Sequence, residues 1–270
     1  MTIQSQNELC VENLCMTYHT EDGSEVHALE DINFKMDEGN LVVVVGPSGC
    51  GKTTLLNTIA GFLTPTSGNI LLDNQAIESP GAERGVVFQK GALFEWLTVY
   101  ENAMFGLKMR DVDQKKSHDR VMEYLDLVDL TEFADTPIYN LSGGMQQRVA
   151  IVRCLANNPS ILLMDEPLGA LDALTREKMQ TLILKIWKET GKMVFFITHS
   201  VEEAIYLATD LFVMSARPGK IMKRYKLDFC HQGLEANPRE LKSDPEFINI
   251  REEVLGLIWS MEEETAAHAG

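Results

Sequence analysis

The sequence predicts an α/β fold, a layered sheet with an α-helical subdomain set into the middle of the chain. Two observations carry that prediction. Five short apolar runs, Leu41 to Val45, Gly85 to Phe88, Ile161 to Met164, Val194 to Ile197 and Leu211 to Met214, lack the in-out alternation of half-exposed strands. They therefore read as strands buried on both faces of a sheet. Between the second and third runs the pattern turns helical, as with Val121, Leu125 and Val128 at i, i+4 and i+7.

Taken in order, the first run leads into a glycine-rich loop and then a helix-like run, Thr54 to Ala60. The strand Gly85 to Phe88 precedes the helical stretch, and three further strands follow it. After Gly219 the pattern weakens, with Pro238 and Pro245 interrupting it before a helix expected near Phe247 to Met261 and an acidic end at Glu262 to Glu264. This last part reads as a peripheral appendage. No internal repeat or low-complexity tract occurs.

The 270 residues, 45% of them apolar, suffice for one large or two modest packed domains. A formal charge of -16, from 24 basic against 40 acidic residues, repels phosphate backbones and anionic lipid unless the basic residues cluster, which argues against nucleic acid as a partner. No stretch approaches the roughly 18 uninterrupted apolar residues of a membrane span. The polar start MTIQSQNE lacks the apolar core of a secretion signal, so a soluble, cytosolic chain is expected. Five cysteines without a C-x-x-C pair suit a reducing compartment and are read as packing or surface thiols, with no metal cage.

The most specific local signal is Gly46-Pro47-Ser48-Gly49-Cys50-Gly51-Lys52-Thr53-Thr54, a complete P-loop placed directly between a strand and a helix. Glycines let the backbone close around phosphate oxygens, and the positive end of the following helix favours the anion. Lys52 is expected to neutralise phosphate charge and the Thr53 hydroxyl to ligate Mg²⁺. Such a loop needs a carboxylate partner for the metal. The run ILLMDE ends in Asp165 and Glu166, where a buried strand meets the binding edge of the sheet. Asp165 is expected to hold Mg²⁺ through water, and Glu166 to polarise the water that attacks the γ-phosphate. Taken alone, the pair is equally a solvated acidic turn.

From Leu141 the chain reads LSGGMQQR, and with this motif, the P-loop and the DE pair it resembles the ATP-binding subunits of ATP-binding-cassette (ABC) transporters over almost its whole length. That resemblance implies a RecA-like P-loop NTPase core, with a mixed, largely parallel sheet, an antiparallel β edge region and an inserted α-helical subdomain. It implies a nucleotide-binding core from residues 1–89 and 159–228, a helical signature subdomain over 90–158, and a C-terminal extension over 229–270. It also implies that Ser142, Gly143 and Gly144 act in trans, capping the γ-phosphate bound to a second copy in a head-to-tail dimer. Read without the family, the same residues are a helix N-cap with glycines. Met145 stands where the commonest form of the motif has Gln, which leaves Ser142 and the backbone donors intact.

Other residues fall in the family's order. Tyr18 resembles the aromatic residue that stacks on adenine, or it is edge packing. Gln89, ending GVVFQ, resembles the glutamine that contacts magnesium and the attacking water. Asp172 in LGALD resembles the residue that crosses the dimer interface, and as a helix N-terminal carboxylate it is favourable in any case. His199 matches the switch histidine that contacts the γ-phosphate and steadies Glu166.

The resemblance thus implies an ATPase and translocase that uses ATP and Mg²⁺ and serves separate permease subunits, with indirect help from a solute-binding protein, at the cytoplasmic face of the inner membrane. GAERGVVFQ, LTVYEN and ARPGKI are similar to the nitrate, sulfonate and taurine import branch, with taurine or another sulfonate nearest and nitrate or bicarbonate as alternatives. Glu95 departs from the proline frequent in that branch. The stretch Gly91 to Met109 is the expected permease-facing surface. In it, Phe94, Trp96 and Phe105 are either exposed contacts or core of the helical subdomain. A soluble cassette of DNA repair or translation is the reading from a different class. It is disfavoured because long coiled coils, zinc modules and a second cassette are not in the sequence.

Overall fold

A computed structural model describes residues 7–89, 92–110 and 112–268, with side chains described through 264. Residues 1–6 of the polar start and Gly91 of the expected permease surface lie outside the described residues. In chain order the elements are β1 (Glu8–His19), β2 (Glu25–Asp37), β3 (Leu41–Val45), α1 (Lys52–Ala60), β4 (Ser67–Leu72), β5 (Gln75–Ala76) and β6 (Arg84–Val87). The helices α2 (Val99–Met109), α3 (Gln114–Leu127) and α4 (Gly143–Ala156) follow. Then come β7 (Ile161–Asp165), α5 (Ala173–Thr190), β8 (Met193–Ile197), α6 (Val201–Leu207), β9 (Asp210–Met214) and β10 (Ile221–Lys226). The short helices α7 (Phe229–Gln232) and α8 (Pro238–Leu241) lead to α9 (Pro245–His268).

The strands form two sheets. One is antiparallel, in the order β2-β1-β4-β5. The other has six strands in the order β10-β9-β3-β8-β7-β6, parallel throughout except for β10, which runs antiparallel to β9. The mixed, largely parallel sheet and the antiparallel β region are both present.

The five apolar runs all lie in the six-stranded sheet, and packing explains their unbroken hydrophobicity. Val43, Val45, Leu162, Met164, Val194, Phe196, Leu211 and Val213 belong to one core cluster, with residues of α2 to α6 and α9. Their neighbours Val42, Val44, Ile161, Leu163, Phe195, Ile197, Phe212 and Met214 belong to a second cluster, with α1 and the antiparallel sheet. Alternate side chains therefore leave the sheet toward different layers. Since both layers are dry, every position is apolar.

The helical periodicity of the middle segment also survives: Val121 and Leu125 of α3, with Val128 at its C-cap, are fully buried. The N-terminus of α2 is fixed by a capping box, in which the Glu101 amide donates to the Thr98 hydroxyl at 3.2 Å and the Thr98 amide donates to the Glu101 carboxylate at 2.9 Å. Phe94 and Phe105 are half-buried with ring centroids 4.3 Å apart, whereas Trp96 is 78% exposed. Trp96 thus fits the exposed reading, and Phe94 and Phe105 pack on each other outside both core clusters.

Two expectations about the C-terminal part are corrected. Pro238 and Pro245 do not interrupt helices but begin them, Pro238 beside the Asn237 cap whose side chain accepts from the Arg239 amide at 3.0 Å. Proline fits the first turn because the N–H it lacks has no intrahelical acceptor there. The final helix is accordingly longer than 247–261. Its Val254 is buried, and Ile250, Leu255, Ile258 and Met261 pack on the core, so this end is joined to the fold through one face.

All five cysteines are free; Cys10, Cys50, Cys154 and Cys230 are buried and Cys15 is half-buried. Burial pushes the Cys154 thiol up to about 11 and the Cys230 thiol up to about 12, which suits packing and not reactivity. Among the described residues no helix is long and apolar enough to cross a membrane.

Candidate functional site

The site is assembled at the C-terminal ends of parallel strands, the edge at which open α/β sheets bind ligands. β3 delivers the P-loop, β7 delivers Asp165 and Glu166, and β8 delivers His199. Between β3 and α1 the chain folds back on itself. Gly49 (φ +72°) and Gly51 (φ +93°) adopt left-handed backbone, and a Cβ on Gly51 would lie 2.8 Å from the Ala28 carbonyl. Only glycine fits there. Lys52 is buried, and its ammonium donates to the carbonyls of Gly46 at 2.9 Å and Pro47 at 3.0 Å, so the side chain lies back along the loop it follows. The beginning of the loop is thereby tied to the start of α1, whose positive end the loop caps.

The Thr53 hydroxyl donates to the Asp165 carboxylate at 3.2 Å, joining α1 to β7. The Asp165 carboxyl is raised above its ordinary range, chiefly by burial and further by the neighbouring Glu166, with the Thr53 hydrogen bond opposing. A hydroxyl and a carboxylate side by side form an all-oxygen donor set, which fits Mg²⁺; that ion keeps several waters and needs only one or two protein ligands beside phosphate.

Glu166 carries left-handed backbone (φ +45°), unusual for a residue with a Cβ, and its amide donates to the Ile197 carbonyl at 3.0 Å. The chain therefore turns sharply as it leaves β7, so that consecutive carboxylates serve different neighbours. Asp165 meets Thr53, and Glu166 lies 3.3 Å from Nδ1 of His199. Strain of this kind persists only where surrounding contacts enforce it. Gln89 arrives from the end of β6. A Cβ on Gly169 would lie 3.2 Å from the Gln89 amide nitrogen and 3.7 Å from the His199 ring, so this glycine separates the two with no room to spare.

These elements border an open cleft of about 600 Å³, lined by residues 46 and 48–54 with Tyr18, Val26, Ala28, Glu166, His199 and Arg217. The Tyr18 hydroxyl is 3.4 Å from that of Thr54, which sets an aromatic ring at one end of the loop. Val26, Ala28 and Arg217 were not expected. Val26 and Ala28 lie in no motif, and Arg217 lies in ARPGKI, which the sequence offers only as a mark of the import branch; the pairing of β2 and β9 with their neighbours brings all three to the cleft.

Ser142, Gly143, Gly144 and Asp172 do not line this cleft. Ser142 caps α4, accepting from the Met145 amide at 3.4 Å, and Asp172 caps α5, accepting from the Thr175 amide at 3.0 Å. The Thr175 hydroxyl, and after it the Thr175 amide, hold the Asp172 carboxyl below its ordinary range. A Cβ on Gly144 would lie 2.8 Å from the Thr175 side chain, so the two helix starts adjoin. Ser142 and Gly143 face solvent there. The Met145 side chain packs on the core.

A sequence model of the ABC transporter family matches residues 29–169. The chain is 59% identical over 258 residues to a taurine import ATP-binding protein of Pelagibacter ubique, covering 96% of this chain and 97% of the relative. It is 55% identical over 256 residues to the protein of the same description from Jannaschia, covering 95% and 96%. Among solved structures it is similar to the dimeric, post-hydrolysis ATP-binding cassette MJ0796 bound to ADP and Pi, with TM-score 0.70, 33% identity and coverage of 82% and 99%. With its P-loop at the sheet edge and these relatives spanning nearly its full length, the chain belongs to the ABC transporter family as an ATP-binding cassette, an ATPase.

Proposed function

We propose that this cassette powers the import of taurine or a closely related sulfonate by binding and hydrolysing ATP. The observation that carries the ATPase reading is the meeting of three strand ends at one cleft, which sets Lys52, the Thr53–Asp165 pair and the Glu166–His199 pair around a single loop. The substrate reading is supported by relatives described as taurine import ATP-binding proteins.

In the proposed cycle Tyr18 stacks on adenine, and residues 46–54 wrap the phosphates with their amides while Lys52 offsets the charge. Thr53, Asp165 and Gln89 would hold Mg²⁺, which when bound neutralises phosphate oxygens and templates their geometry. Glu166 accepts a proton from water as the water oxygen bonds to the γ-phosphorus and the bridging β–γ oxygen leaves on ADP. His199 holds Glu166 in line. Ser142, Gly143, Gly144 and Asp172 do not line their own cleft, and Ser142, Gly143 and Asp172 are exposed at two adjoining helix starts, which fits service to the cleft of a second copy. The dimeric relative supports that arrangement.

Residues 1–89 and 159–228 form the nucleotide-binding core in this reading, 90–158 the signature subdomain and 229–270 an extension packed on it. The partners are a second copy and membrane permease subunits, and the cassette sits peripherally at the cytoplasmic face.

Two tests separate the claims. Ser142→Arg fills the donor patch while leaving every cleft residue in place. ATP turnover is expected to fall by roughly 10² to 10³, the cost of losing one preorganised hydrogen-bond donor aimed at developing charge. Turnover at the wild-type rate refutes the in-trans role. For the solute, the cassette is reconstituted with its permease in vesicles and ATPase activity is measured as solute-binding protein is added. Taurine-loaded binding protein is expected to stimulate. Stimulation by nitrate or bicarbonate but not by taurine overturns the substrate.

A further inference from the structure

The cleft holds one charged side chain to which the family's motifs give no role. β9 runs parallel beside β3, with Val213 opposite Val45, so the turn that follows β9 emerges next to the P-loop. That turn is firmly docked. The Gly219 amide donates to the Ala28 carbonyl at 3.0 Å, and the Glu30 amide donates to the Gly219 carbonyl at 3.0 Å. Within the turn the Ser215 hydroxyl donates to the Pro218 carbonyl at 2.8 Å and accepts from the Lys220 amide at 2.8 Å. A Cβ on Gly219 would overlap the Cys50 carbonyl, at 2.1 Å, so turn and P-loop touch backbone to backbone.

Arg217 projects from this turn into the cleft. Its Nη2 lies 3.5 Å from where a Cβ on Gly49 would stand, at the crown of the P-loop. Among the residues lining the cleft, Lys52 and Arg217 carry permanent positive charge and Glu166 is the acid. Lys52 is engaged by the carbonyls of Gly46 and Pro47. The neighbouring Lys220 is paired with Glu30 at 2.7 Å. Arg217, by contrast, has no hydrogen bond or ion pair among the described residues, although acidic residues outnumber basic ones 40 to 24 in this chain. A guanidinium presents donors in a planar fork suited to phosphate oxygens.

We propose that Arg217 is a further nucleotide-binding residue, whose guanidinium pairs with the phosphate chain beside Lys52. The inference rests on reading the P-loop cleft as the ATP site. Its effect is on affinity: a charge-assisted hydrogen bond lost from a partly solvated site corresponds to a drop of about ten-fold.

The test is the dissociation constant of ADP for the full chain, measured by calorimetry for wild type, Arg217→Gln and Lys52→Ala, from about 50 mM to about 500 mM KCl, a range over which screening strengthens several-fold in concentration terms. Thermal unfolding without nucleotide is followed in parallel and is expected to be the same for Arg217→Gln and wild type. Arg217→Gln is expected to bind ADP about ten-fold more weakly at low salt, with the gap closing as salt rises. Wild-type affinity at low salt overturns the inference. So does a loss of equal size at every salt concentration, which indicates a disturbed turn instead of a missing charge. If Lys52→Ala also binds ADP normally, the reading of the cleft itself fails. If Lys52→Ala loses binding while Arg217→Gln does not, only the role of Arg217 fails.

Discussion

Lys52→Ala is expected to abolish useful ATP binding, raising the dissociation constant by roughly 10² or more. The size follows from what the ammonium does: it is a buried cation held by the two carbonyls at the beginning of the loop, and each charge-assisted hydrogen bond it transfers to phosphate is worth about 1.5–3 kcal/mol. Alanine removes that charge and also the two bonds that tie the beginning of the loop to α1. The loop therefore loses its shape as well as its cation. Calorimetric titration with ATP checks the result, with circular dichroism to establish that the sheet is intact. An affinity equal to wild type would remove the P-loop from the mechanism.

The second large effect separates binding from hydrolysis. Glu166→Gln keeps the size of the side chain and its position after β7, so ATP should bind normally. The amide, however, does not take a proton, and turnover is expected to fall by roughly 10² to 10⁴, the range typical of a missing general base. Because hydrolysis no longer releases the closed state, the variant should accumulate as a dimer with ATP. Light scattering would then show the mass moving from 30.3 kDa to twice that value. A mass that stays at 30.3 kDa with ATP counts against the two-copy site. The His199 contact at 3.3 Å adds a further distinction, since an amide at position 166 still offers a hydrogen-bonding partner. Loss of rate in this variant therefore reports the missing base and not a displaced histidine.

How much was legible before the fold was known differs by element. The strands of the six-stranded sheet stood out because both of their faces are dry, and an unbroken apolar run is the mark that such burial leaves. The antiparallel sheet did not stand out as runs. β1 buries Leu9, Cys10 and Val11 in a row, exposes Glu12 and Asn13, and buries Leu14 and Met16 again, and register shifts from Val11 onward break any period. β10, reading IMKRYK, is a polar edge strand paired on one side only, so its sequence has little reason to be apolar. The prolines at 238 and 245 misled for a local reason: a proline marks a helix boundary without saying which side of it the helix lies on.

The sequence by itself determined the chemistry of this protein. The P-loop at 46–54 is legible from residue type and short spacing, because a glycine turn acts within a few residues of itself, whereas Asp165 with Glu166 and the LSGG segment point to a role only beside it and through the family resemblance. Only the tertiary structure decided which of these groups meet. Thr53 reaches Asp165 across 112 residues and His199 reaches Glu166 across 33, through strand order that no local pattern encodes. The same pairing of β9 with β3 brought Arg217 to the P-loop, and the separation of α4's start from the cleft left Ser142 facing outward. Contacts of this range depend on how whole strands lie side by side, and that order is set by burying two faces of one sheet at once.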